Sequence, residues 1–116
     1  RPFVLHPGQF CLGCTFEVVR VGNGLVAKLD GKSTLGRLGL LVHCTAGYID
    51  PGFNGQITLE LFNCAPYPIE LVPGCPISQL RFEKLSSDAR RVYGAPGLGS
   101  HYAAEATACG PVAPKL

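Results

Sequence analysis

The sequence predicts an all-β domain with one short helix, arranged as a sandwich, barrel or jelly roll. The chain contains 15 Gly and 10 Pro among 116 residues, a content typical of short strands joined by tight turns. Short runs of β-branched and aromatic residues recur along it, whereas only one segment has helical periodicity. Hydrophobic residues make up 47% of the chain and charged residues 16%, which supplies enough apolar material for the core of one domain.

The predicted strands are short and bounded by turn-forming residues. The run 15–21 is rich in β-branched and aromatic residues, and Gly22-Asn23-Gly24 supplies a turn after it. The run 56–62 alternates strictly between apolar and other residues, as a half-buried strand does. The predicted strands are 3–5, 15–21, 25–29, 56–62, 68–72 and 77–85.

The one predicted helix spans 33–41. Ser33 is a suitable N-cap, and three leucines at intervals of three fall on one face of the helix. Two glycines inside the segment weaken it, so we expect only a turn or two. The leucines are Leu35, Leu38 and Leu41, and the glycines are Gly36 and Gly39.

We expect two regions in the chain. Residues 1–92 form the predicted β core, and residues 93–116, rich in Gly, Ala and Pro without periodicity, form a tail. The chain begins at Arg1, inside an extended segment and without an initiator Met, so we expect a fragment or a processed piece of a longer protein.

Charge and hydropathy narrow the classes of partner. A net charge of +2 gives no support to an extended nucleic-acid surface, although a small basic pocket for one charged metabolite is compatible with it. No apolar run approaches the ~20 residues that span a bilayer, and we expect no membrane partner. We expect a cytoplasmic location, with an organelle as the alternative.

The six cysteines are scattered along the chain, and we expect them to be reduced, buried and carried by strands rather than paired in disulfides. Cys11 and Cys14 have the spacing of a zinc-binding pair. On a strand, however, residues three apart point to opposite faces, and a second pair at finger-like spacing is absent from the sequence. We therefore expect no zinc site.

Glu60 is the first candidate for chemistry. Residues 57, 59 and 61 share one face of the predicted strand, and Glu60 lies on the opposite face with Thr58 and Phe62. One interpretation is a solvated carboxylate on the outer face. The other is a carboxylate in a cleft, where it could transfer protons. The pattern alone leaves both open.

A second candidate is the segment 31–37, Gly-Lys-Ser-Thr-Leu-Gly-Arg, between a strand and the short helix. Its Lys and two hydroxyl groups suit a phosphate chain, but an ordinary polar turn explains the same residues. Asp50 precedes Pro51-Gly52 and is either a turn opener or a site residue. His43 lies between Val42 and Cys44, and we expect a core histidine with its hydrogen bonds satisfied.

Taken together, these segments resemble the dCTP deaminases over about residues 2–94. The segments that carry the resemblance are 31–40, 43–53 and 57–63, together with Pro73-Gly74, Ile77 and Gln79-Leu80. The resemblance implies a dUTPase-like distorted jelly roll or β-barrel. It also implies a homotrimer with active sites between subunits, and zinc-free hydrolysis of dCTP to dUTP and ammonia.

The resemblance also implies residue roles. Glu60 matches the family's catalytic carboxylate, Ser33 and Arg37 match the residues that position the attacking water and hold Glu60, and Asp50 matches the residue that binds the sugar 3′-hydroxyl. The nucleotide-binding residues implied are Lys32, Ser33, Thr34, Arg37, Cys44, Ala46, Asp50, Tyr93 and His101. Mg²⁺ is implied as an ion carried by the triphosphate, and dTTP as a candidate inhibitor.

Gly47 bears on the type of activity. The segment 45–50 resembles the bifunctional dCTP deaminase/dUTPases more than the deaminase-only type, which tends to carry a bulkier residue at this position. In a bifunctional enzyme Asp50 would also help water to attack the α-phosphate, giving dUMP and diphosphate. A plain dUTPase is an alternative, although dUTPases lack the pair formed by Arg37 and Glu60.

The chain departs from the family pattern at both ends. We expect the given sequence to lack the family's N-terminal region, which is several dozen residues long. In the C-terminal lid, His101 stands where the family has a Lys, and Glu105 would repel a triphosphate. These departures motivate a further alternative, a non-catalytic nucleotide-binding paralogue.

Overall fold

The computed structural model of this chain describes residues 1–45 and 47–89, which form eight strands and one short helix. The elements, in chain order, are β1 (Phe3–Leu5), β2 (Phe10–Arg20), β3 (Leu25–Gly31), α1 (Ser33–Gly36), β4 (Leu40–Leu41), β5 (Tyr48–Ile49), β6 (Asn54–Asn63), β7 (Ile69–Leu71) and β8 (Ser78–Lys84). The all-β fold with one short helix is confirmed. The predicted tail, 93–116, lies outside the described residues, so the boundary at residue 92 stays a prediction.

The strands pair in three antiparallel groups. One three-stranded sheet has the order β2-β6-β4, and the other has the order β5-β3-β8. The short strands β1 and β7 form a separate pair. Neighbours in each sheet are distant in sequence, as in the crossed connections of jelly rolls. The pairing of β2 with β6 shifts register between Cys14 and Val18, so β2 bends within its length.

The core lies where the inner faces of both three-stranded sheets meet. Strand β6 contributes Ile57, Leu59 and Leu61, all buried, and strand β3 contributes Ala27 and Leu29 to the same apolar cluster. The alternation predicted for β6 is confirmed, since every odd-numbered residue from 55 to 63 is buried and those between are half-buried. Burial of these apolar side chains supplies the main driving force for folding.

Among residues 1–45 and 47–89, Asn63 is the one polar residue that is buried. Its amide nitrogen donates hydrogen bonds to the carbonyl oxygens of Leu5 (2.9 Å) and Tyr67 (2.8 Å), and its Oδ1 accepts one from the N–H of Ala65 (2.8 Å). The side chain thus connects β1, the end of β6 and the loop before β7. A buried amide is tolerated here because its hydrogen-bonding groups have partners.

The helix forms as the single turn that we expected, but it ends before the predicted position 41 and has a different cap. Helix α1 ends at Gly36, because Gly39 adopts φ +106° and the chain then enters β4, where Leu40 is buried opposite Asn63. The predicted apolar face does not form, since Leu38 and Leu41 are exposed. The N-cap is Lys32, in an extended conformation and without a side-chain cap, rather than Ser33.

The cysteines also differ from expectation. Cys44, Cys64 and Cys75 are free but exposed, and Cys11 is free and half-buried, so the prediction of buried thiols was wrong. Burial raises the pKa of the Cys11 thiol, which keeps it protonated at neutral pH. Cys14 is disulfide-bonded, which contradicts the expectation that the cysteines are reduced.

We expect Asn63→Ala to lower the free energy of unfolding by about 3 kcal/mol, because one buried and two part-buried backbone groups lose their partner. Urea unfolding at equilibrium, in the full-length protein, measures the loss. The matched control is Asn54→Ala, at the exposed start of the same strand, which should change stability by less than about 0.5 kcal/mol. Equal effects of the two substitutions would contradict the role given to Asn63.

Candidate active site

Glu60 is positioned by the alternation of β6. Because Leu59 and Leu61 enter the core, the side chain between them leaves the opposite face of the strand, with Thr58 and Phe62 beside it. All three outer-face side chains are half-buried. Glu60 thus lies on the outer face of the strand with part of its surface covered, and this placement fits both a solvated carboxylate and a carboxylate in a cleft.

The segment that follows β4 covers the Glu60 carboxylate with backbone amides. Its Oε1 accepts hydrogen bonds from the N–H of Cys44 (2.9 Å) and from the N–H of Thr45 (3.3 Å). The Glu60 N–H donates to the carbonyl oxygen of Val42 at 3.0 Å, which fixes the same segment to the strand. Amide donors stabilise the ionised form of a carboxyl group, so this arrangement favours Glu60 as a carboxylate.

His43 does not have the environment expected from the sequence. It is half-buried, but its Nδ1 is buried and has no hydrogen-bond partner. The expectation of a core histidine with satisfied hydrogen bonds was therefore wrong. A buried nitrogen without a partner is costly in a protein interior, so other contacts must hold the ring in place.

The predicted phosphate-binding residues lie together on α1 and just beside it. Lys32 is half-buried, and Ser33, Thr34 and Arg37 are exposed. The carbonyl oxygen of Lys32 accepts the N–H groups of Leu35 (3.1 Å) and Gly36 (2.8 Å) and closes the single helical turn. One turn carries little macrodipole, so attraction for an anion here comes mainly from the side chains.

Arg37 is not the partner of Glu60 in an ion pair within this chain. Among residues 1–45 and 47–89, the ion pairs join Lys28 to Glu83, and Arg81 to both Asp30 and Glu83. The Arg37 guanidinium is exposed and available to a group outside the chain. The structure thus places Cys44 against Glu60 but leaves Ser33 and Arg37 on an open surface.

Asp50 lies directly after β5 and opens the turn Pro51-Gly52, as its sequence context predicts. Its carbonyl oxygen accepts the N–H of Phe53 at 3.2 Å, and Gly52 has φ +87°. Its side chain is exposed. Both the structural and the functional interpretation fit this placement, because the turn is built from the backbone and leaves the carboxylate open to solvent. Ala46, Tyr93 and His101 lie outside the described residues.

A groove of about 540 Å³ lies elsewhere, between β2, the inner face of β6 and the segment 72–78. Its described lining residues include none of the predicted site residues. Neither a cluster of three His, Cys, Asp or Glu side chains with metal-binding geometry nor a helix long and apolar enough to cross a membrane occurs in the part of the chain that the structure describes.

Sequence reasoning did not find two features of this site. Thr45 was not singled out as an amide donor, and the contact between His43 and Gly47 was not foreseen. A backbone N–H leaves no trace in residue type, so nothing in the sequence could have marked Thr45. The Gly at position 47 was a usable indication of a close approach, since glycine often marks such places.

The fold and the site together define a class of protein. The native dUTPase of EIAV matches 84% of this chain with a TM-score of 0.66 at 23% identity, over 79% of its own length. The crystal structure of 2′-deoxycytidine 5′-triphosphate deaminase from Agrobacterium tumefaciens matches 84% of this chain with a TM-score of 0.69 at 25% identity, over 29% of its own length. The fold is therefore dUTPase-like, the jelly-roll type expected from the resemblance.

The family described as dCTP deaminase-like matches residues 1–85, and the chain belongs to this family. Proteins named "dCTP deaminase, dUMP-forming" share 61% identity with it in Tropheryma whipplei (strain Twist) and 55% in Bifidobacterium longum (strain DJO10A), each over 102 residues. These matches cover 88% of this chain and 52% and 53% of the relatives. The chain thus spans about half the length of the curated relatives it matches.

Proposed function

We propose that this chain carries part of the active site of an enzyme that hydrolyses the 4-amino group of dCTP and converts the product to dUMP. The observation that carries the proposal is the half-buried Glu60 carboxylate, which accepts the amides of Cys44 and Thr45. The relatives of the same family that are named dCTP deaminase, dUMP-forming support the substrate and the product.

Glu60 is the proposed proton carrier. Held as a carboxylate by two amides, it can take a proton from the water that attacks C4 of cytosine. It then gives this proton to N3. The second proton of the water, released from the new C4 hydroxyl, passes through Glu60 to the amino group, which leaves as ammonia while C4 keeps the oxygen of the water. A carboxylate that acts alternately as base and acid needs to be partly shielded from bulk water, and Glu60 is half-buried.

Ser33 and Arg37 are proposed to reach Glu60 from a second subunit. Both side chains are exposed on α1 and its C-terminal edge, and Arg37 takes part in none of the ion pairs formed by residues 1–45 and 47–89. A homotrimer with sites between subunits would place the Arg37 guanidinium of one copy beside the carboxylate of another. The complete site then requires assembly.

The triphosphate, carrying Mg²⁺ as part of the substrate, is proposed to bind Lys32, Ser33 and Thr34. These residues present one ammonium and two hydroxyl groups within one helical turn. Asp50 is proposed to bind the sugar 3′-hydroxyl and to help water to attack the α-phosphate. Tyr93 and His101, outside the described residues, complete the proposed nucleotide site, and dTTP is the proposed inhibitor.

We expect Glu60→Gln to reduce ammonia release from dCTP by at least about 10³-fold, because the amide cannot accept the proton of the attacking water. Nucleotide binding should change little, since the shape of the side chain is kept. Ammonia is measured by a coupled assay and binding by calorimetry. If Glu60→Gln releases ammonia near the wild-type rate, Glu60 is not the proton carrier. If the wild-type protein itself releases no ammonia from dCTP, the proposed deaminase activity is excluded.

We expect Asp50→Asn to change the ratio of products. Ammonia should still be released, whereas dUTP should accumulate in place of dUMP, because the carboxylate that assists attack on the α-phosphate is gone. Chromatography of the nucleotides after complete conversion of dCTP measures the ratio. An unchanged yield of dUMP would remove Asp50 from this step. Asp88→Asn, an exposed carboxylate near the end of the described residues, is the control.

Mixing subunits tests the site between copies. Trimers of Arg37→Ala subunits alone, or of Glu60→Gln subunits alone, should be inactive. When the two are mixed in equal amounts and reassembled, about a quarter of the sites should regain both intact residues. Deamination at about that fraction of the wild-type rate supports shared sites, and mixed trimers without activity would show that both residues must come from one chain.

A further inference from the structure

The segment 42–47 connects the two three-stranded sheets, and both of its ends are fixed by backbone hydrogen bonds. At one end, the carbonyl oxygen of Val42 accepts the N–H of Glu60, in β6, at 3.0 Å. At the other end, the carbonyl oxygen of Gly47 accepts the N–H of Leu29, in β3, at 2.7 Å. The amides of Cys44 and Thr45 lie between these two hydrogen bonds. Their position against the Glu60 carboxylate therefore depends on the distance between Val42 and Gly47 and on the side chains packed there.

The His43 imidazole lies directly against Gly47, at the β3 end of the segment. A Cβ atom built on Gly47 would lie 2.9 Å from Nε2 and 3.0 Å from Cδ2 of His43, and 3.0 Å from the carbonyl oxygen of Leu29. The contact below 3.0 Å requires a shift of the atoms, and the two contacts at 3.0 Å require the neighbour to give by a few tenths of an ångström. Position 47 therefore has no room for a side chain while the imidazole and β3 keep their places.

The His43 ring is not held in place by a hydrogen bond at Nδ1. The Nδ1 atom of His43 is buried without a hydrogen-bond partner, the one such side-chain atom among residues 1–45 and 47–89. Hydrogen bonding at Nδ1 therefore does not explain why the ring occupies this place. The ring lies directly against Gly47, whose carbonyl oxygen is bonded to β3, and it is next in sequence to Cys44, whose N–H is bonded to Glu60 in β6.

We propose that His43 and Gly47 are a matched pair that sets the position of the Cys44 and Thr45 amides against Glu60. In this role His43 is a positioning residue, which acts on the deamination through Glu60 without touching the nucleotide. The catalytic part of this inference rests on the proposed function. A displacement of the segment by about 1 Å is enough to lower a rate by about 10²-fold when it moves a catalytic group.

The experiment is a double-mutant cycle between positions 43 and 47 in the full-length protein. Gly47→Ala should lower kcat for Mg-dCTP by about 10- to 100-fold, while KM changes less than about threefold, because the nucleotide contacts are kept. His43→Ala should also lower kcat. The double variant should be more active than the product of the two losses predicts, since the smaller side chain at position 43 leaves room for the added Cβ. Recovery should be partial, because the Leu29 carbonyl remains 3.0 Å from that Cβ.

The control is Gly22→Ala, since a Cβ at Gly22 meets nothing within 4 Å, and it should leave kcat and KM unchanged. Thermal unfolding of each variant identifies any that fails to fold. Losses that multiply in the double variant, or a folded Gly47→Ala protein with normal kcat, would overturn the proposal. So would equal changes in KM and kcat.

A second measurement is independent of activity. Hydrogen exchange of the Cys44 amide, followed by NMR, should be about 10-fold faster in Gly47→Ala than in the wild type and should slow again in the double variant. Unchanged exchange would overturn the proposal even if the enzyme were inactive. If the wild type releases no ammonia but the variants show the expected differences in Cys44 amide exchange, the proposed function is refuted and the matched pair is supported.

Discussion

The site depends on the alternation along β6, in which every second residue is buried in the core and the residues between face outward. Ile57, Leu59 and Leu61 are buried in the core shared by both three-stranded sheets, and the same alternation places Glu60 on the other face. A shift of register by one residue would bury the carboxylate and expose three large apolar side chains. The burial of these apolar side chains fixes the register of β6, and it thereby also fixes the side of the strand on which the Glu60 carboxylate lies.

Backbone N–H groups hold one oxygen of the Glu60 carboxyl group, which ties the position of the site to the fold. Cys44 and Thr45 donate their N–H groups to one carboxylate oxygen, and their segment is anchored to both β6 and β3. Amides held in this way need no reorganisation when charge appears on the carboxylate. The arrangement leaves the cation Arg37 exposed, which is compatible with a site completed by another copy.

Local patterns predicted the parts of the fold that local forces determine. The alternation of β6, the turn at Asp50 and the strand β8 follow from residue type and spacing, and they are observed within one or two residues. Strands β4 and β5, each two residues long, depend on pairing with distant strands, so no local pattern revealed them. Helix α1 was predicted too long for the same reason, since the pairing of Leu40 with Asn63 competes with helix continuation.

The site was predictable in its residues but not in its geometry. Family resemblance selected Glu60 and Cys44, and the structure brings these two together: the Cys44 N–H donates to the Glu60 carboxylate, and the Cys44 thiol donates to the Glu60 carbonyl oxygen at 3.7 Å. Ser33 and Arg37, which the resemblance associates with Glu60, are exposed in this chain, and no local pattern predicts which group they face. The unsatisfied Nδ1 of His43 was equally invisible, because it results from the path of the segment around the ring.

Gly47 shows how one loop position can influence chemistry without touching a substrate. It belongs to the segment 45–50, whose resemblance to the bifunctional type predicts dUMP formation, and the deaminase-only type tends to carry a bulkier residue at this position. The structure supplies a steric reason for a difference, since any Cβ at position 47 would meet His43 and the carbonyl oxygen of Leu29. A chain with a larger residue there must displace either the imidazole or β3, and the segment that donates to Glu60 joins both. Side-chain size at position 47 therefore acts first on how Glu60 is held, and only through that on the reaction.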